Sequence, residues 1–380
     1  MACFIVAETI RTGNNLTMQE KDALASHDVE VATAVAPAAH APDPERFPVG
    51  RFYRPELDAL RFAAFLLVFL SHSFENVRWI NNAGGYGVDL FFALSSYLIT
   101  TLLLKEHRAT GEIDARKFYI RRGLRIWPLY FFFLLIVVPV AHFTIHDHLN
   151  RYYLSAFLVG GGNWACAAWG WPLSIAAPLW SISIEEQFYL AWPFVMKRFL
   201  RRLPEIAIGL LAVSTITRII LATHGASHTA VWCNTFARLD PIAGGALLAC
   251  FLYDKMPSFS SGQRCALIAF GVAALFCAGV FGDSSGPKCI WTCPLVSAAC
   301  VAMLIAVLGI AHTMPQPLIY LGKISYGLYV YHVLALWLVH ESPIPALVLT
   351  ILVSALSYRC LEVSFLRLKE RFALVGSRPT

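Results

Sequence analysis

Apolar runs of about 20 residues alternate with short polar or basic loops along most of the chain, beginning near residue 54. A helix needs about 20 consecutive apolar residues to cross the hydrocarbon core of a bilayer, so such runs predict transmembrane helices. The predicted spans lie at residues 57–74, 87–104, 123–145, 180–196, 205–223, 237–253, 264–282, 294–312, 324–341 and 344–362. The pattern therefore predicts an all-α, polytopic membrane bundle of about ten helices.

The two ends of the chain lack this pattern. Residues 1–50 mix polar residues with the Ala/Pro-rich run VATAVAPAAHAPDPERFPVG and contain no apolar segment long enough for a signal peptide. We expect residues 1–50 to be a disordered cytoplasmic tail, residues 51–366 to be the membrane domain and residues 367–380 to be a second cytoplasmic tail.

Basic residues cluster in three of the loops, KEHRATGEIDARKFYIRRGLR, KRFLRR and RLKERF. Positively charged loops stay on the cytoplasmic side of a membrane, so these loops predict the topology. With an even number of spans, both termini lie in the cytoplasm and the protein is a multi-pass protein of the plasma membrane. Residues 152–164 are weakly apolar and contain three consecutive glycines, so we expect an external or re-entrant segment there.

Composition supports the membrane assignment. Hydrophobic residues make up 57% of the chain and charged residues 14%, and the mean hydropathy is +0.59. Soluble domains contain about 45–50% apolar and about 25% charged residues, so a soluble enzyme with a single anchor is excluded. The net charge of +6 is spread over loops between apolar runs, which argues against nucleic acid as a partner.

The first span carries ionisable residues on one face. Asp58, Arg61, Phe65, Val68 and His72 are spaced three or four residues apart, so a helix places them on the same side. Arg61 and His72 then lie roughly 16 Å apart along the axis. A charge at the centre of a spanning helix costs about 2.5–3.5 kcal/mol, so function is one explanation of these residues. The alternative is that the acid and the arginine sit at the interface and that His72 is a hydrogen-bonded core residue.

Three arginines, Arg121, Arg122 and Arg125, lie within little more than one turn at the cytoplasmic end of the third span. Guanidinium groups form bidentate hydrogen bonds with phosphate oxygens, so this cluster is a candidate binding site for a phosphorylated donor or nucleotide. The alternative is an anchor that reaches out to lipid headgroups.

Candidate acid and base groups lie toward the outer ends of the helices. His72 and Asp89 are near the outer ends of adjacent spans, so we expect Asp89 to hold the tautomer of His72 while the other ring nitrogen removes a proton from a hydroxyl. Glu185 and Glu186 lie inside a span, and we expect one of them to face a polar passage between the helices. The alternative is that such acids pair with Arg238 to hold the helices together.

The sequence gives weaker support for a metal site and for disulfide bonds. The cluster of His142, His146, Asp147 and His148 has no matching carboxylate at a fixed spacing elsewhere, so we expect no metal site. The ten cysteines contain no C-x2-C pair, which gives no indication of a zinc or thioredoxin-type site. Four cysteines fall in predicted outer loops, where disulfides with undetermined partners are open: Cys166, Cys233, Cys289 and Cys293.

Five segments together resemble the membrane acyltransferase-3 family, the integral membrane O-acyltransferases of surface carbohydrates and related acceptors. They are RPELDALRFAAFLLVFLSHSF, GVDLFFALSSYLIT, FYIRRGLRIWPLY, WSISIEEQFYL and LGKISYGLYVYH, in order between residues 54 and 332. The resemblance implies acyl transfer, usually of acetyl, from acyl-coenzyme A to a hydroxyl. The chain departs from the family in one place, since Ser95-Ser96 replaces the usual Ser-Gly, which leaves the width of the passage open there.

The resemblance also implies roles for individual residues. The residues that match the family's motifs are Arg61, His72, Arg121, Arg122, Arg125, Glu185, Tyr326 and His332. We expect His72, Asp89 and Glu185 to be catalytic, and the four arginines with Tyr326 and His332 to bind the donor; aromatic packing is the alternative for the tyrosine cluster. Acyl-coenzyme A would be a co-substrate, with no permanently bound cofactor, and direct transfer and an acyl-histidine intermediate both stay open.

The expected acceptor is a hydroxylated glycan or small molecule. Since the sequence carries no second domain after its last span, we expect the membrane domain itself to modify the acceptor. The competing prediction is a proton-coupled secondary transporter of an anionic or sugar-like solute, because buried histidines, acids and arginines also suit that function.

Overall fold

The computed structural model describes residues 52–253, 255, 257–283, 286–310, 314–373 and 375. Every regular element in this part of the chain is helical, as predicted. The tail predicted at residues 1–50 and the last five residues of the tail predicted at 367–380 lie outside the described residues.

The helices are numbered here in chain order. They are α1 (Pro55–Ser73), α2 (Arg78–Gly85), α3 (Gly87–Thr110), α4 (Ala115–Thr144), α5 (Arg151–Leu158), α6 (Gly162–Trp169), α7 (Trp180–Phe199), α8 (Leu203–Thr223), α9 (His228–Trp232), α10 (Leu239–Phe251), α11 (Ser261–Phe281), α12 (Cys289–Val307), α13 (Gln316–Lys323), α14 (Ser325–Leu338) and α15 (Pro343–Glu370). π-Helical turns interrupt α4 at Phe133–Val137 and α15 at Tyr358–Glu362.

A helix lies at each of the ten predicted spans, but the count of ten membrane crossings is not confirmed. Six helical stretches of the described chain are long and apolar enough to cross a membrane, and one of them joins α7 and α8 through a short 3-10 turn. Helices α10 and α14 have only 13 and 14 residues, and α1 carries Glu56, Asp58 and Arg61 in its first two turns. The chain is therefore a multi-pass membrane protein in which α10 and α14 are shorter than a typical span and α1 is more charged than one.

Two regions differ from the simple alternation of spans and loops. The short loop predicted after α1 contains the amphipathic helix α2, which packs against α1 and α11. The segment predicted to be external or re-entrant forms two eight-residue helices, α5 and α6, which the left-handed residue Gly160 separates. Helices of eight residues are about 12 Å long and do not cross a bilayer.

Capping residues mark the end of α3 and the start of α4. Gly111 follows α3 in the left-handed conformation with φ of 79°, which glycine adopts without strain. The side chain of Asp114 accepts a hydrogen bond from the backbone N–H of Lys117 and caps α4. Arg121 on α4 then pairs with Glu106 on α3, with 2.7 Å between Nη2 and Oε2.

Helix α3 lies at the centre of the bundle, where α1, α7, α10 and α12 pack around it. Its closest neighbour is α10, and a Cβ atom at Gly245 would collide with the carbonyl oxygen of Ala93. The hydroxyl of Ser96 donates to the carbonyl oxygen of Ile242 over 2.6 Å. Ser96 therefore faces α10, and Gly245 allows the backbones of the two helices to approach closely.

Buried ion pairs hold the helices around α3 together. Arg238 precedes α10 and contacts Asp89 on α3, with 2.8 Å between Nη2 and Oδ2. Arg218 on α8 contacts Asp240 on α10 at 3.0 Å, and Ser297 on α12 donates to the second oxygen of Asp240. Removing one partner of a buried pair costs about 3–5 kcal/mol, because the other charge is left unpaired. These groups therefore fix the packing of four helices.

Replacing Gly245 with alanine tests the close approach of α3 and α10. The added methyl group meets backbone, which cannot rotate away, so we expect a loss of about 1–3 kcal/mol in the free energy of unfolding. Gly209→Ala on α8 is the matched control, since a Cβ atom there meets nothing within 4 Å. Thermal unfolding of the detergent-purified variants measures both effects, and equal melting temperatures would contradict the packing described here.

Candidate active site

Two histidines are in contact at the end of α1. Nδ1 of His72 lies 3.0 Å from the carbonyl oxygen of Val68 and 3.4 Å from Nε2 of His332 on α14. The ring of His332 is fully buried, and its Nδ1 lies 2.6 Å from the carbonyl oxygen of Tyr329. The two ring centroids are 4.9 Å apart, in an edge-to-face arrangement.

These contacts determine the tautomer of each neutral ring. A carbonyl oxygen only accepts hydrogen bonds, so Nδ1 of His332 must carry a hydrogen and donate it to Tyr329. Nε2 of His332 then presents a lone pair to His72. Nδ1 of His72 faces this lone pair and the carbonyl of Val68, so it also carries a hydrogen. The remaining nitrogen, Nε2 of His72, has its lone pair available, and no described residue forms a hydrogen bond with it.

His72 lines a cavity of about 610 Å³, here named the histidine cavity. Four tryptophans contribute to its walls: Trp171, Trp180, Trp232 and Trp337. Polar side chains lie among them, including Glu75, Asn81, Asn82 and Glu341. The volume is within the range of about 300–1,000 Å³ that is typical of small-molecule sites.

A second, smaller cavity of about 90 Å³ lies between α1, α3, α4, α7 and α14 and is here named the arginine cavity. Its polar lining includes Arg61, Arg122, Arg125, Glu185 and Tyr326. The structure thus brings together five of the residues that the sequence singled out, from four different helices.

The carboxylate of Glu185 is fully engaged in this cavity. Its Oε1 accepts a hydrogen bond of 2.8 Å from Ser95, and its Oε2 accepts one of 2.8 Å from Tyr189. Ser95 therefore faces the cavity whereas Ser96 faces α10, so the second serine of the Ser-Ser pair does not narrow the cavity.

The arginines have different surroundings. Arg61 pairs with Asp58 one turn earlier on α1, at 2.7 Å. The guanidinium of Arg122 lies between the rings of Phe118 and Tyr189, 5.7 Å from each centroid. Its Nε is buried and has no hydrogen-bond partner among the described residues. An unsatisfied buried donor is costly, so this nitrogen is suited to a bound acceptor.

Three of the predicted site residues lie elsewhere. Asp89 does not contact His72; it pairs with Arg238, the arginine that the sequence analysis offered as an alternative partner for Glu185 and Glu186. Arg121 is bound to Glu106 and to the carbonyl oxygen of Phe372, outside the arginine cavity. His332 contacts His72 and lines neither cavity.

The two cavities share part of their walls. Val88 and Tyr329 line both, whereas His72 lines only the histidine cavity and the three arginines line only the arginine cavity. The cavities therefore adjoin, but the structure shows no single open passage between them.

The remaining polar clusters have structural contacts. The carboxylate of Asp147 accepts hydrogen bonds from the side chain of Ser174 and the backbone of Ile175, and no metal-binding group occurs among the described residues. The described cysteines are free thiols. A disulfide stays an open prediction.

Several cavity residues were missed by the sequence analysis. The signal for Tyr189 was present, since it lies one turn after Glu185 on α7. The four tryptophans had no such signal, because they come from separate loops and helices that only the fold brings together.

Comparisons with known proteins agree with this arrangement of motifs. A family model described as an acyltransferase domain matches residues 54–358. A putative O-acetyltransferase of Staphylococcus aureus is 29% identical over 367 residues, which cover 86% of this chain and 59% of the relative. A peptidoglycan O-acetyltransferase of Listeria monocytogenes is 29% identical over 311 residues, which cover 74% of this chain and 49% of the relative.

The chain spans about half to three fifths of the length of the curated relatives that it matches. No solved structure matches it significantly. The family model nevertheless covers most of the sequence, including α1 and its histidine, the basic turns of α4, and α14. The chain therefore belongs to the acyltransferase-3 family of membrane proteins.

Proposed function

We propose that this protein transfers an acyl group, most simply acetyl, from acyl-coenzyme A to a hydroxyl of a carbohydrate, with Nε2 of His72 as the general base. The observation that carries the proposal is the lone pair on Nε2, which the contacts of Nδ1 with Val68 and His332 fix at the wall of a large cavity. The similarity to O-acetyltransferases supports this reaction and does not favour the transporter alternative.

The arginine cavity supports an anionic donor. Three guanidinium groups, those of Arg61, Arg122 and Arg125, line it, and Arg122 has a buried donor without a partner. The phosphates of coenzyme A would supply acceptors for such groups. A volume of about 90 Å³ is only about three water volumes, so the whole donor does not fit inside. The phosphates of the donor would bind at the cytoplasmic edge of the arginine cavity, and the arm that carries the thioester would extend through the cavity.

The histidine cavity supports a carbohydrate acceptor. Trp180 lies 6.0 Å from Trp171 and 6.3 Å from Trp232, ring centroid to ring centroid, so the rings form a connected aromatic wall. Aromatic rings offer a large apolar surface to the C–H faces of a sugar, while amides and carboxylates bind its hydroxyls. A peptidoglycan O-acetyltransferase among the relatives acts on a glycan, and we propose the same class of acceptor here.

The chemistry follows from the tautomers. Nε2 of His72 takes the proton of the acceptor hydroxyl as its oxygen attacks the thioester carbonyl. The carbon–sulfur bond then breaks, and the proton passes from the imidazolium to the thiolate, which gives the O-acyl ester and free coenzyme A. A hydroxyl is a poor nucleophile at neutral pH, and a positioned base contributes about 10²–10⁴ to the rate.

The proposed orientation follows from charge. The basic loops after α3 and α7 would lie in the cytoplasm, which places the arginine cavity toward the source of coenzyme A. Both termini would be cytoplasmic, the histidine cavity would face outward, and the membrane would be the plasma membrane.

Replacing His72 with alanine should lower acyl transfer by at least about 10²-fold, because the base is lost. Transfer of radiolabelled acetyl from acetyl-coenzyme A to soluble peptidoglycan fragments measures this effect in purified protein. The control is His224→Ala, since His224 is exposed and bonded only to its own helix and neighbour. Full activity of the His72 variant would remove it from the chemistry, and uptake into vesicles without thioester cleavage would support the transporter instead.

Neutralising Arg122 or Arg125 with glutamine should raise the KM for acetyl-coenzyme A more than it lowers kcat, because donor binding is weakened. Arg121→Gln is the control, since Arg121 lies outside the arginine cavity and pairs with Glu106. The control should lower the melting temperature with little change in KM. If all three variants leave KM unchanged, the arginines serve as a lipid anchor.

Replacing Trp171 with alanine should raise the KM for the glycan acceptor and leave acetyl-coenzyme A hydrolysis in its absence unchanged. Stacking of an aromatic ring contributes about 0.5–1.5 kcal/mol beyond its buried area, so we expect an effect of roughly threefold to tenfold. Trp164→Ala is the matched control, since this tryptophan is also partly exposed on the adjoining helix but lies outside the cavity. Equal KM values in the two variants would contradict an aromatic acceptor wall.

A further inference from the structure

The wall between the two cavities contains a side chain that the reaction described above does not use. Tyr329 lines both cavities together with Val88, and its side chain is almost fully buried. The donor thioester on one side and His72 on the other can meet only if an acyl group passes this wall.

The tyrosine hydroxyl is held by the start of α7. It lies 2.8 Å from the carbonyl oxygen of Pro178 and 2.7 Å from the hydroxyl of Ser181, which is itself 3.3 Å from the same carbonyl, so the three groups form one hydrogen-bonded cluster. Phe91 on α3 packs edge-on against the ring, with 5.9 Å between the centroids. The ring is thus fixed by α3 and α7, while its own backbone belongs to α14.

The backbone of the same residue has a separate task. Its carbonyl oxygen accepts the hydrogen bond from Nδ1 of His332, which orients the histidine pair. A change in the side chain of Tyr329 can therefore open the wall without removing the support of the base.

A thioester that meets water in the histidine cavity would be hydrolysed instead of transferred. The histidine cavity has about 610 Å³ and polar walls, so it holds water when no acceptor is bound. A barrier between the two cavities is therefore required for efficient transfer if the proposed function holds.

We propose that the side chain of Tyr329, held by Pro178 and Ser181, is a barrier between the donor and acceptor cavities that limits the escape of acyl groups to water. This inference rests on the proposed acyl transfer and names the residue that controls the partition of the thioester between acceptor and water.

The variant Tyr329→Phe tests the barrier, because it keeps the ring and removes both hydrogen bonds. We expect the ratio of acetyl-coenzyme A hydrolysis to acetyl transfer to rise roughly tenfold, since each of the two lost hydrogen bonds corresponds to a factor of about two to ten. The matched control is Tyr331→Phe, whose hydroxyl contacts Ser357 at 3.3 Å and lines neither cavity. Ser181→Ala should give a smaller rise, because the bond to Pro178 remains. An unchanged ratio in Tyr329→Phe, or an equal rise in Tyr331→Phe, would overturn the proposal.

A second measurement does not depend on catalysis and separates this inference from the proposed function. Leu98 lines the arginine cavity, so a cysteine introduced there reports whether reagents reach it from the histidine cavity. A membrane-impermeant thiol reagent is applied to the face that carries residues 74–77, and mass spectrometry follows modification of the peptide with Leu98→Cys. We expect modification to be several-fold faster in the Tyr329→Phe background than with Tyr329 present. Equal rates in both backgrounds would show that Tyr329 is no barrier, whatever the donor is.

Discussion

The contact between His72 and His332 is the constraint on which the rest of the site depends. His332 is fully buried and its Nδ1 is committed to a backbone carbonyl, so its other nitrogen can only accept from His72 as long as the ring is neutral. This contact and the carbonyl oxygen of Val68 on α1 together place the hydrogen of His72 on Nδ1 and its lone pair on Nε2. In the more common arrangement a carboxylate holds the tautomer of a catalytic histidine. A neutral imidazole in that place avoids burying a further charge within the bundle.

The charged residues of this membrane protein divide into two groups by their partners. Asp89 with Arg238, Asp240 with Arg218 and Glu106 with Arg121 form buried pairs that hold helices together. Arg122 and Arg125 line a cavity, and the guanidinium of Arg122 stacks on two aromatic rings. A charged side chain within the bilayer must be paired with an opposite charge, hydrated, or placed where it serves a function. Pairing explains the first group, and the proposed binding of a phosphorylated donor would explain the second.

Much of the fold was predictable because hydrophobic periodicity determines helices. The positions of all ten predicted segments agree with helices, whereas the number of crossings is not confirmed, because length and charge set α1, α10 and α14 apart from typical spans. The spacing along α1 predicted that Arg61 and His72 face the interior, and both line cavities. The position of a residue along its predicted span gives its depth in the membrane. The arginines and the histidine were therefore predicted at opposite ends of the site.

Contacts between helices were much harder to predict. Asp89 is on the helix next to His72 and at similar depth, yet rotation about α3 turns it toward Arg238. His332 lies 260 positions from its partner, and no local pattern indicates which ring it touches. Arg121 and Arg125 are one turn apart, but the carboxylate of Glu106 draws the first away from the cavity. The wall formed by Val88 and Tyr329 is a property of packed side chains and has no signature in any one segment.

The central claim is that a donor held by the arginines presents its thioester across the shared wall to His72. Electron cryomicroscopy of the protein with a non-hydrolysable acetyl-coenzyme A analogue tests this claim most directly. The account predicts density for the phosphates beside Arg122 and Arg125, with the acyl end within hydrogen-bond reach of Nε2 of His72 and the ring of Tyr329 displaced. Phosphates bound in the histidine cavity, or an acyl end that stops short of an undisturbed Tyr329, would contradict it.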